Sequence, residues 1–121
     1  MGYSIKVISE QFGLSSYTLR YYEKEGLLPF IARDEHGNRC FRDEDLDLLH
    51  LVCCLKDTGM PIANIRQFVD LTLAGSHTLG DRRLLLEEHK KRIDEQVSFY
   101  QQFSQKINDK IVHFAAMEEE S

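Results

Sequence analysis

The chain has 121 residues, of which 42% are hydrophobic and 29% are charged, a composition typical of a small globular protein. No apolar run approaches the roughly 20 residues of a membrane-spanning helix, and the N-terminus lacks an apolar export signal, so we expect a cytoplasmic protein without membrane contact. The net charge is −5, but residues 1–42 carry six Lys or Arg against five acids. Nucleic-acid binding is therefore not excluded, because phosphates are bound by local cations rather than by the average charge.

Two short helices joined by a tight turn are predicted near the N-terminus. Ser4 is a suitable N-cap for the first helix, and Gly13 is a suitable residue to end it. Ser15 or Ser16 can cap a second helix, which ends at Gly26. Two helices in this arrangement form a helix-turn-helix, in which the second helix is the recognition helix.

A short β-hairpin is predicted after the second helix. Residues 30–42 form two extended arms around a turn of polar residues and glycine at 34–38, with arginines on both arms. A hairpin at this place is the wing of a winged helix-turn-helix.

Two further helices are predicted to complete the first domain, residues 1–75. The acidic residues 43–45 suit the first turn of a third helix, which continues to Gly59. Pro61 suits the first turn of a fourth helix, which reaches about Leu73.

The C-terminal part of the chain is predicted to be one long helix, because residues 81–117 contain neither Gly nor Pro. Apolar residues recur along it every seven positions, with three more beside them. This stripe consists of Leu86, Ile93, Val97, Tyr100, Phe103, Ile107, Ile111 and Phe114. The first domain is too small to cover so long a stripe, so the pattern predicts a coiled coil between two copies of the chain. Residues 76–80 would be a linker, and residues 118–121 a frayed acidic tail.

Several short motifs occur in a fixed order along the first half of the chain. They are Tyr3-Ser4-Ile5, Gly13-Leu14-Ser15, Thr18-Leu19-Arg20-Tyr21-Tyr22-Glu23, Gly26-Leu27-Leu28-Pro29, Gly37-Asn38-Arg39-Cys40-Phe41 and Leu55-Lys56-Asp57-Thr58-Gly59-Met60-Pro61-Ile62. In this order they resemble the DNA-binding half of the MerR family of bacterial transcription regulators. The resemblance implies a mainly α-helical fold: a winged helix-turn-helix, two further helices and a long antiparallel coiled-coil dimerisation helix.

The resemblance also implies a mechanism. Members of the family bind a pseudo-palindromic promoter as dimers and, when activated, bend and untwist the DNA so that RNA polymerase can engage both promoter elements. Deforming DNA in this way costs on the order of several kcal/mol, which many phosphate contacts supply. We expect double-stranded promoter DNA, a second copy of the chain and RNA polymerase as partners, and no cofactor.

The expected DNA contacts lie on the recognition helix, the wing and the third helix. Arginine can bind a phosphate or a guanine edge with two hydrogen bonds, and a tyrosine hydroxyl can donate to a phosphate. Tyr21 and Tyr22 cannot both face DNA, and Tyr22 is expected in the core. Arg20 has an alternative role as an ion-pair partner of Glu23. The predicted set is Ser15, Ser16, Tyr17, Thr18, Arg20, Tyr21, Arg33, Asn38, Arg39, Phe41 and Lys56.

Three cysteines bear on the compartment and on the signal. Cys40, Cys53 and Cys54 are odd in number and lack the spacing of metal ligands, which favours reduced thiols over disulfides and predicts no metal site. We expect Cys40 and Cys53 to have no part in sensing.

Cys54 lies within a second set of motifs. They are Leu51-Val52-Cys53-Cys54-Leu55-Lys56, Phe68-Val69-Asp70-Leu71 and Leu85-Leu86-Glu87-Glu88-His89. This set is similar to the small MerR regulators that respond to aldehydes and to nitrosative or other electrophile stress. The resemblance implies that Cys54 senses a small electrophile, because a reachable thiolate attacks such compounds. By its position one helical turn before Cys54, His50 is a candidate to assist it, and Lys56 is a candidate to supply positive potential. Alternatively, Cys54 is a small buried hydrophobic residue, as free cysteines commonly are.

Two other functions compete with an electrophile-sensing regulator. The first is a regulator without a thiol sensor, which a protein partner controls through the long helix or the acidic tail. The second is a small thiol enzyme that uses Cys54. Nucleophilic catalysis needs an organised base and an oxyanion pocket, and the sequence indicates neither, so we expect no enzymatic activity.

Overall fold

The computed structural model describes residues 2–121, which form five α-helices, a 3₁₀ turn and a two-stranded antiparallel hairpin. The elements are α1 (Ile5–Phe12), α2 (Ser16–Lys24), β1 (Ala32–Arg33), β2 (Arg39–Cys40), α3 (Asp43–Asp57), α4 (Ile62–Ala74), the 3₁₀ turn (Ser76–Thr78) and α5 (Leu79–Glu120). The chain divides into two compact units, one ending at Leu85 and the other spanning Leu86–Ser121. Across the described residues, no helix is both long enough and apolar enough to cross a bilayer.

The turn between α1 and α2 has the caps that the sequence predicts. The Ser4 hydroxyl accepts a hydrogen bond from a backbone amide in the first turn of α1 at 3.3 Å. Gly13 ends α1 in the left-handed conformation, with φ at 66°, and its N–H donates to the carbonyl of Ser9. Of the two candidate caps for α2, Ser15 is the one used, since its Oγ accepts from the Thr18 amide at 3.0 Å.

The wing has very short strands and a closed turn. Arg33 and Arg39 lie opposite each other in the antiparallel register of β1 and β2. In the turn, the Asp34 carboxylate accepts hydrogen bonds at 2.9 Å from the backbone amides of His36 and Asn38. Gly37 completes the turn with φ at 79°, a conformation that disfavours side chains with a Cβ.

A backbone pair attaches the end of the wing to the N-terminus. The Tyr3 amide donates to the Phe41 carbonyl at 2.6 Å, and the Phe41 amide donates to the Tyr3 carbonyl at 2.9 Å. The chain approaches itself closely here, because a Cβ added at Gly2 would lie 2.0 Å from the Cys40 sulfur. Gly2 is therefore the residue that lets the N-terminus lie against β2.

Phe41 is a core residue, and its predicted contact with DNA is wrong. Its side chain is 1% exposed, among the largest fully buried side chains of the described residues. Side chains alternate between the two faces of an extended segment, so the pairing with Tyr3 directs Phe41 inward while Cys40 stays partly exposed. The apolar core of the N-terminal unit consists of Ile8, Leu19, Tyr22, Leu27, Leu28, Phe41, Leu49, Val52, Leu55, Met60, Ile65, Phe68 and Val69.

The start of α3 contains a buried carboxylate. Asp45 is 4% exposed, and its carboxylate accepts hydrogen bonds from the Arg42 amide at 2.9 Å and from the Arg42 guanidinium at 3.1 Å. The same contact raises the pKa of Arg42. The hydrogen bonds of the Asp45 carboxylate offset the cost of burying its charge.

Pro61 lies at the N-cap of α4, just before the first turn in which it was predicted.

The junction between α4 and α5 is held by a small hydrogen-bond cluster. Gly75 adopts φ 118° and ψ −176°, a region open essentially only to glycine. The buried Thr78 hydroxyl lies 2.6 Å from the Leu71 carbonyl and 2.7 Å from the Gly75 carbonyl, and Arg82 Nε donates to it at 3.1 Å. These contacts connect the end of α4 to the start of α5.

Helix α5 is longer than predicted. It contains 42 residues and includes Leu79 and Gly80 from the expected linker and Glu118–Glu120 from the expected tail. Glutamate is a good helix former, and one exposed glycine costs only about 1 kcal/mol, so neither segment interrupts the helix. Six members of the apolar stripe, from Val97 to Phe114, are between 45% and 69% exposed in the single chain.

The core position of Phe41 gives the first testable prediction. We expect Phe41→Ala to lower the free energy of unfolding by about 3–5 kcal/mol, because the change leaves a cavity in a closed core. Urea unfolding followed by circular dichroism measures this loss. Tyr17→Ala is the matched control, since Tyr17 is 77% exposed and its loss should cost less than about 1 kcal/mol. Equal stability of the two variants would contradict the assignment of Phe41 to the core.

Candidate nucleic-acid interface

An open groove lies between the N-terminal end of α1, the side of α2 and the wing. Its volume is about 440 Å³. Four basic side chains line it, and they are Lys6, Arg20, Arg33 and Arg39. Tyr3, Ser4 and Asn38 add polar groups, and Asp34 is an acidic residue of the lining. A groove with this many cations on one side is suited to a phosphate backbone.

Arg20 is an exposed cation of this groove. The alternative ion pair with Glu23 is not formed, because Glu23 binds the two wing arginines instead. Within residues 2–121, no hydrogen bond or ion pair engages the Arg20 side chain. Its five donors are therefore available to a ligand in the groove.

Arg33 and Arg39 are held by one carboxylate of the recognition helix. Arg39 donates to Glu23 through Nε and Nη2, both at 3.0 Å, and Arg33 donates to the same carboxylate through Nη2 at 3.0 Å. Arg33 also donates through Nη1 to the carbonyl of Gly37 at 3.1 Å. Both wing arginines thus line the groove in fixed positions, with part of their hydrogen-bonding capacity already used.

The first turn of α2 presents small hydroxyl side chains and one aromatic ring. The hydroxyls of Ser15 and Thr18 lie 2.9 Å apart, and Ser16 is partly exposed. Tyr17 extends into solvent, and Tyr21 is 40% exposed, whereas Tyr22 is 6% exposed. The prediction that only one of the paired tyrosines faces outward is confirmed. Helix-turn-helix proteins place base-reading side chains at this end of the helix.

One predicted contact lies outside the groove, and two residues of the groove lining were not predicted. Lys56 is in the last turn of α3 and is not part of the groove lining. Lys6 and Tyr3 line the groove but were not predicted. The Tyr3 hydroxyl donates to Asp43 at 2.6 Å, and this hydrogen bond raises the pKa of Tyr3. The signal for Lys6 was its place in the first turn of a Ser4-capped helix, where backbone amides attract anions.

The adjacent cysteines have different surroundings. Cys54 is exposed, which removes the alternative in which it is a buried hydrophobic residue. Burial, with smaller contributions from Asp57 and Cys54, raises the pKa of Cys53 to about 11. The ring of His50, one turn before Cys54, stacks on Phe12 of α1 with centroids 4.2 Å apart. Among the described residues, no three His, Cys, Asp or Glu side chains are grouped as metal ligands would be.

Lys56 does not share a face with Cys54. Residues two positions apart on a helix point in different directions, so the contribution of Lys56 to the potential at Cys54 stays a prediction. Helix geometry leaves His50, four positions earlier, as the neighbour on the same side.

Most of the chain, with this fold and groove, matches known families of regulators. Residues 3–72 match the MerR HTH family regulatory protein family, and residues 46–110 match the family described as MerR, DNA binding. The chain belongs to the MerR family. It is 40% identical to an uncharacterized HTH-type transcriptional regulator of Haemophilus influenzae, over 94% of this chain and 84% of that protein. It is 32% identical to the HTH-type transcriptional regulator AdhR of Bacillus subtilis, over 76% of this chain and 66% of AdhR.

Solved structures of MerR regulators share the fold. HiNmlR is a MerR family regulator lacking the sensor domain and was solved bound to promoter DNA. It matches this chain with a TM-score of 0.83 and 40% identity, over 93% of this chain and 89% of that one. A MerR family regulator from Bacillus thuringiensis matches with a TM-score of 0.85 and 36% identity, over 93% and 98% of the two chains. The predicted fold class is confirmed, and this MerR-family protein is a DNA-binding transcription regulator.

The free guanidinium of Arg20 gives the second prediction. Arg20→Ala should weaken binding to all duplexes by roughly tenfold and lower the slope of log affinity against log salt by about 1, because one phosphate contact is lost. The measurement is a fluorescence-anisotropy titration at several salt concentrations, with a duplex selected by the wild-type protein from a randomised library. Lys24→Ala removes a charge from the same helix outside the groove lining and should change both quantities less. An unchanged salt slope for Arg20→Ala would contradict its role as a phosphate contact.

Proposed function

We propose that this MerR-family protein is a homodimeric regulator that binds a pseudo-palindromic promoter through α2 and the wing and distorts the DNA to control engagement by RNA polymerase. The observation that carries the proposal is the basic groove between α2 and the wing, where Arg20 has no partner among residues 2–121. The structure of HiNmlR with promoter DNA supports it by similarity. Because promoter DNA is the target, we expect the protein to act in the cytoplasm.

The groove suggests different roles for α2 and the wing in DNA binding. The first turn of α2, with Ser15, Ser16, Tyr17 and Thr18, would enter the major groove and read base edges. Arg20, Tyr21 and the wing arginines would contact phosphates and fix the register. Lys56, outside this groove, would contact a phosphate further along the duplex.

The exposed stripe of α5 supports an antiparallel homodimer. Seven of its eight residues are placed symmetrically about Tyr100: Val97 and Phe103 lie three positions away, Ile93 and Ile107 seven, and Leu86 and Phe114 fourteen. When two identical helices run in opposite directions about a twofold axis near Tyr100, a residue before Tyr100 on one helix faces the residue equally far after Tyr100 on the other. Apolar residues therefore cover apolar residues. A twofold protein matches a palindromic DNA site, with one half-site for each protomer.

Distortion of the promoter follows from a dimer with two DNA-contacting units. Each unit would grip its own half-site, and bending the duplex between them would bring both into contact. Smooth bending of a site of roughly 20–30 base pairs costs on the order of 1–6 kcal/mol, which the phosphate contacts of two units can supply. RNA polymerase would then engage promoter elements whose relative orientation the bend has changed.

Neighbouring residues on α5 allow a matched test of the dimer. Ile111 belongs to the stripe and is 59% exposed, whereas Val112 lies off the stripe and is 62% exposed. We expect Ile111→Asp to weaken dimerisation by at least roughly 100-fold, because the change occurs twice in a symmetric interface and each buried isoleucine contributes about 2 kcal/mol. Analytical ultracentrifugation of both variants measures the dissociation constants.

Val112→Asp is the control, and it should leave the dimer intact. Equal dimerisation of the two variants would show that the stripe is not the interface. A wild-type protein that remains a monomer at micromolar concentration would overturn the homodimer itself.

We further propose that Cys54 senses a small electrophile. Three observations support this: Cys54 is exposed, its neighbour Cys53 is kept protonated at neutral pH by a pKa of about 11, and His50 on the same side stacks on Phe12 of α1. The Cys54 thiolate would attack the carbonyl carbon of an aldehyde, and the aldehyde oxygen would take up a proton. An adduct at this position would press on the contact between α3 and α1, and so reach the helix-turn-helix.

A transcription assay with purified protein tests this sensor. The template is a promoter that carries the selected site, and the proteins are wild type, Cys54→Ser and Cys53→Ser, each with and without a simple aldehyde. We expect the wild type and Cys53→Ser to respond and Cys54→Ser to bind the promoter without responding. The same response in all three proteins would contradict the sensor role and favour control by a protein partner or another ligand. Loss of promoter binding by Cys54→Ser would instead assign Cys54 to packing.

A further inference from the structure

We propose that Glu23 is a positioning residue for DNA recognition, which joins the recognition helix to both arms of the wing so that the two contact DNA as one rigid element. The inference rests on the proposed binding of promoter DNA by this groove. Glu23 is acidic and lies beside a surface that binds phosphates, so its charge alone opposes that function.

The geometry joins three segments through one carboxylate. Glu23 is in the last turn of α2, and its two oxygens accept three hydrogen bonds at 3.0 Å, two from Arg39 and one from Arg33. Arg39 belongs to β2 and Arg33 to β1, and they are opposite each other in the hairpin. The two-point contact of Arg39 fixes orientation as well as distance.

The wing needs such an attachment. Each of its strands has two residues, and a hairpin that small is not stable by itself in water. The pair between Tyr3 and Phe41 holds only the end of β2. Glu23 holds the residue of each strand that adjoins the turn, and Arg33 also donates through its other terminal nitrogen to the Gly37 carbonyl in the turn.

Part of this contact is shielded from water. The side chain of Arg39 is 18% exposed and that of Glu23 is 24% exposed, whereas Arg33 is 47% exposed. The pair of Arg39 and Glu23 is thus less screened by salt than a surface pair. Ordering two arginines before DNA arrives removes a conformational entropy cost from the binding step.

A purely electrostatic role and a positioning role of Glu23 predict opposite changes in the affinity for the selected site when Glu23 loses its charge. If Glu23 acted only through its charge, Glu23→Gln would strengthen binding to every duplex, because one negative charge leaves the phosphate-binding surface. If Glu23 positions the wing, the variant should weaken binding to the selected site by about tenfold. Its binding to unrelated duplex should stay equal or become stronger, because nonspecific binding depends on charge rather than on register.

Glu25→Gln is the matched control. Glu25 lies two residues further on and pairs with Arg66 of α4, with Nη2 at 3.8 Å, without contact to the wing. The variant removes the same charge from the same end of α2. We expect it to bind the selected site as tightly as the wild type or slightly more tightly. The measured quantity is the ratio of specific to nonspecific affinity. If Glu23 acted only through its charge, this ratio would be the same in Glu23→Gln and Glu25→Gln.

Arg39→Lys provides an independent arm in case Glu23→Gln fails to fold. Lysine keeps the positive charge but cannot make the two-point contact with Glu23. We expect the ratio of specific to nonspecific affinity to fall as it does in Glu23→Gln, and circular dichroism monitors the fold of each variant.

The outcomes separate this inference from the proposed function. If the wild type prefers its selected site but Glu23→Gln and Arg39→Lys retain the full ratio, the positioning role is overturned and DNA binding stands. If the wild type shows no preference for any duplex, the proposed function fails, and the role of Glu23 fails with it.

Discussion

The DNA-binding unit depends on one backbone pair between residues far apart in the chain. When Tyr3 and Phe41 exchange hydrogen bonds, the start of α1, the end of the wing and the start of α3 come together. The same pair fixes which face of the chain is inward, so Phe41 enters the core and β2 presents Arg39 to the groove. A basic groove between α1, α2 and the wing exists because this closure brings their side chains to one surface.

The apolar stripe of α5 sets a second requirement, because it needs a surface that covers it. Helix α5 carries large apolar side chains that the single chain leaves largely in water. Exposed apolar area on this scale is typical of an interaction surface rather than of a monomer.

Local signals predicted local structure well. Ser4, Gly13 and Ser15 act within one turn of their own position, and all three cap helices as their residue types favour. The role of Phe41 was not predictable in this way, because its direction depends on pairing with a residue 38 positions earlier. The partners of Glu23 were missed for the same reason: helix spacing favoured Arg20, whereas the fold brings Arg33 and Arg39 from the wing. Nothing local separates Cys53 from Cys54, since both lie in one helix and only packing makes Cys53 less exposed than Cys54.

The close approach of Gly2 to Cys40 has a practical consequence for anyone who handles this protein. Any side chain at position 2 would push against the sulfur of a wing residue that borders the groove. Affinity tags and cleavage scars that replace the second residue are therefore not neutral here. They would require the Cys40 side chain to move beside the groove, so DNA binding measured with such a preparation should be compared with that of the chain with Gly2 intact.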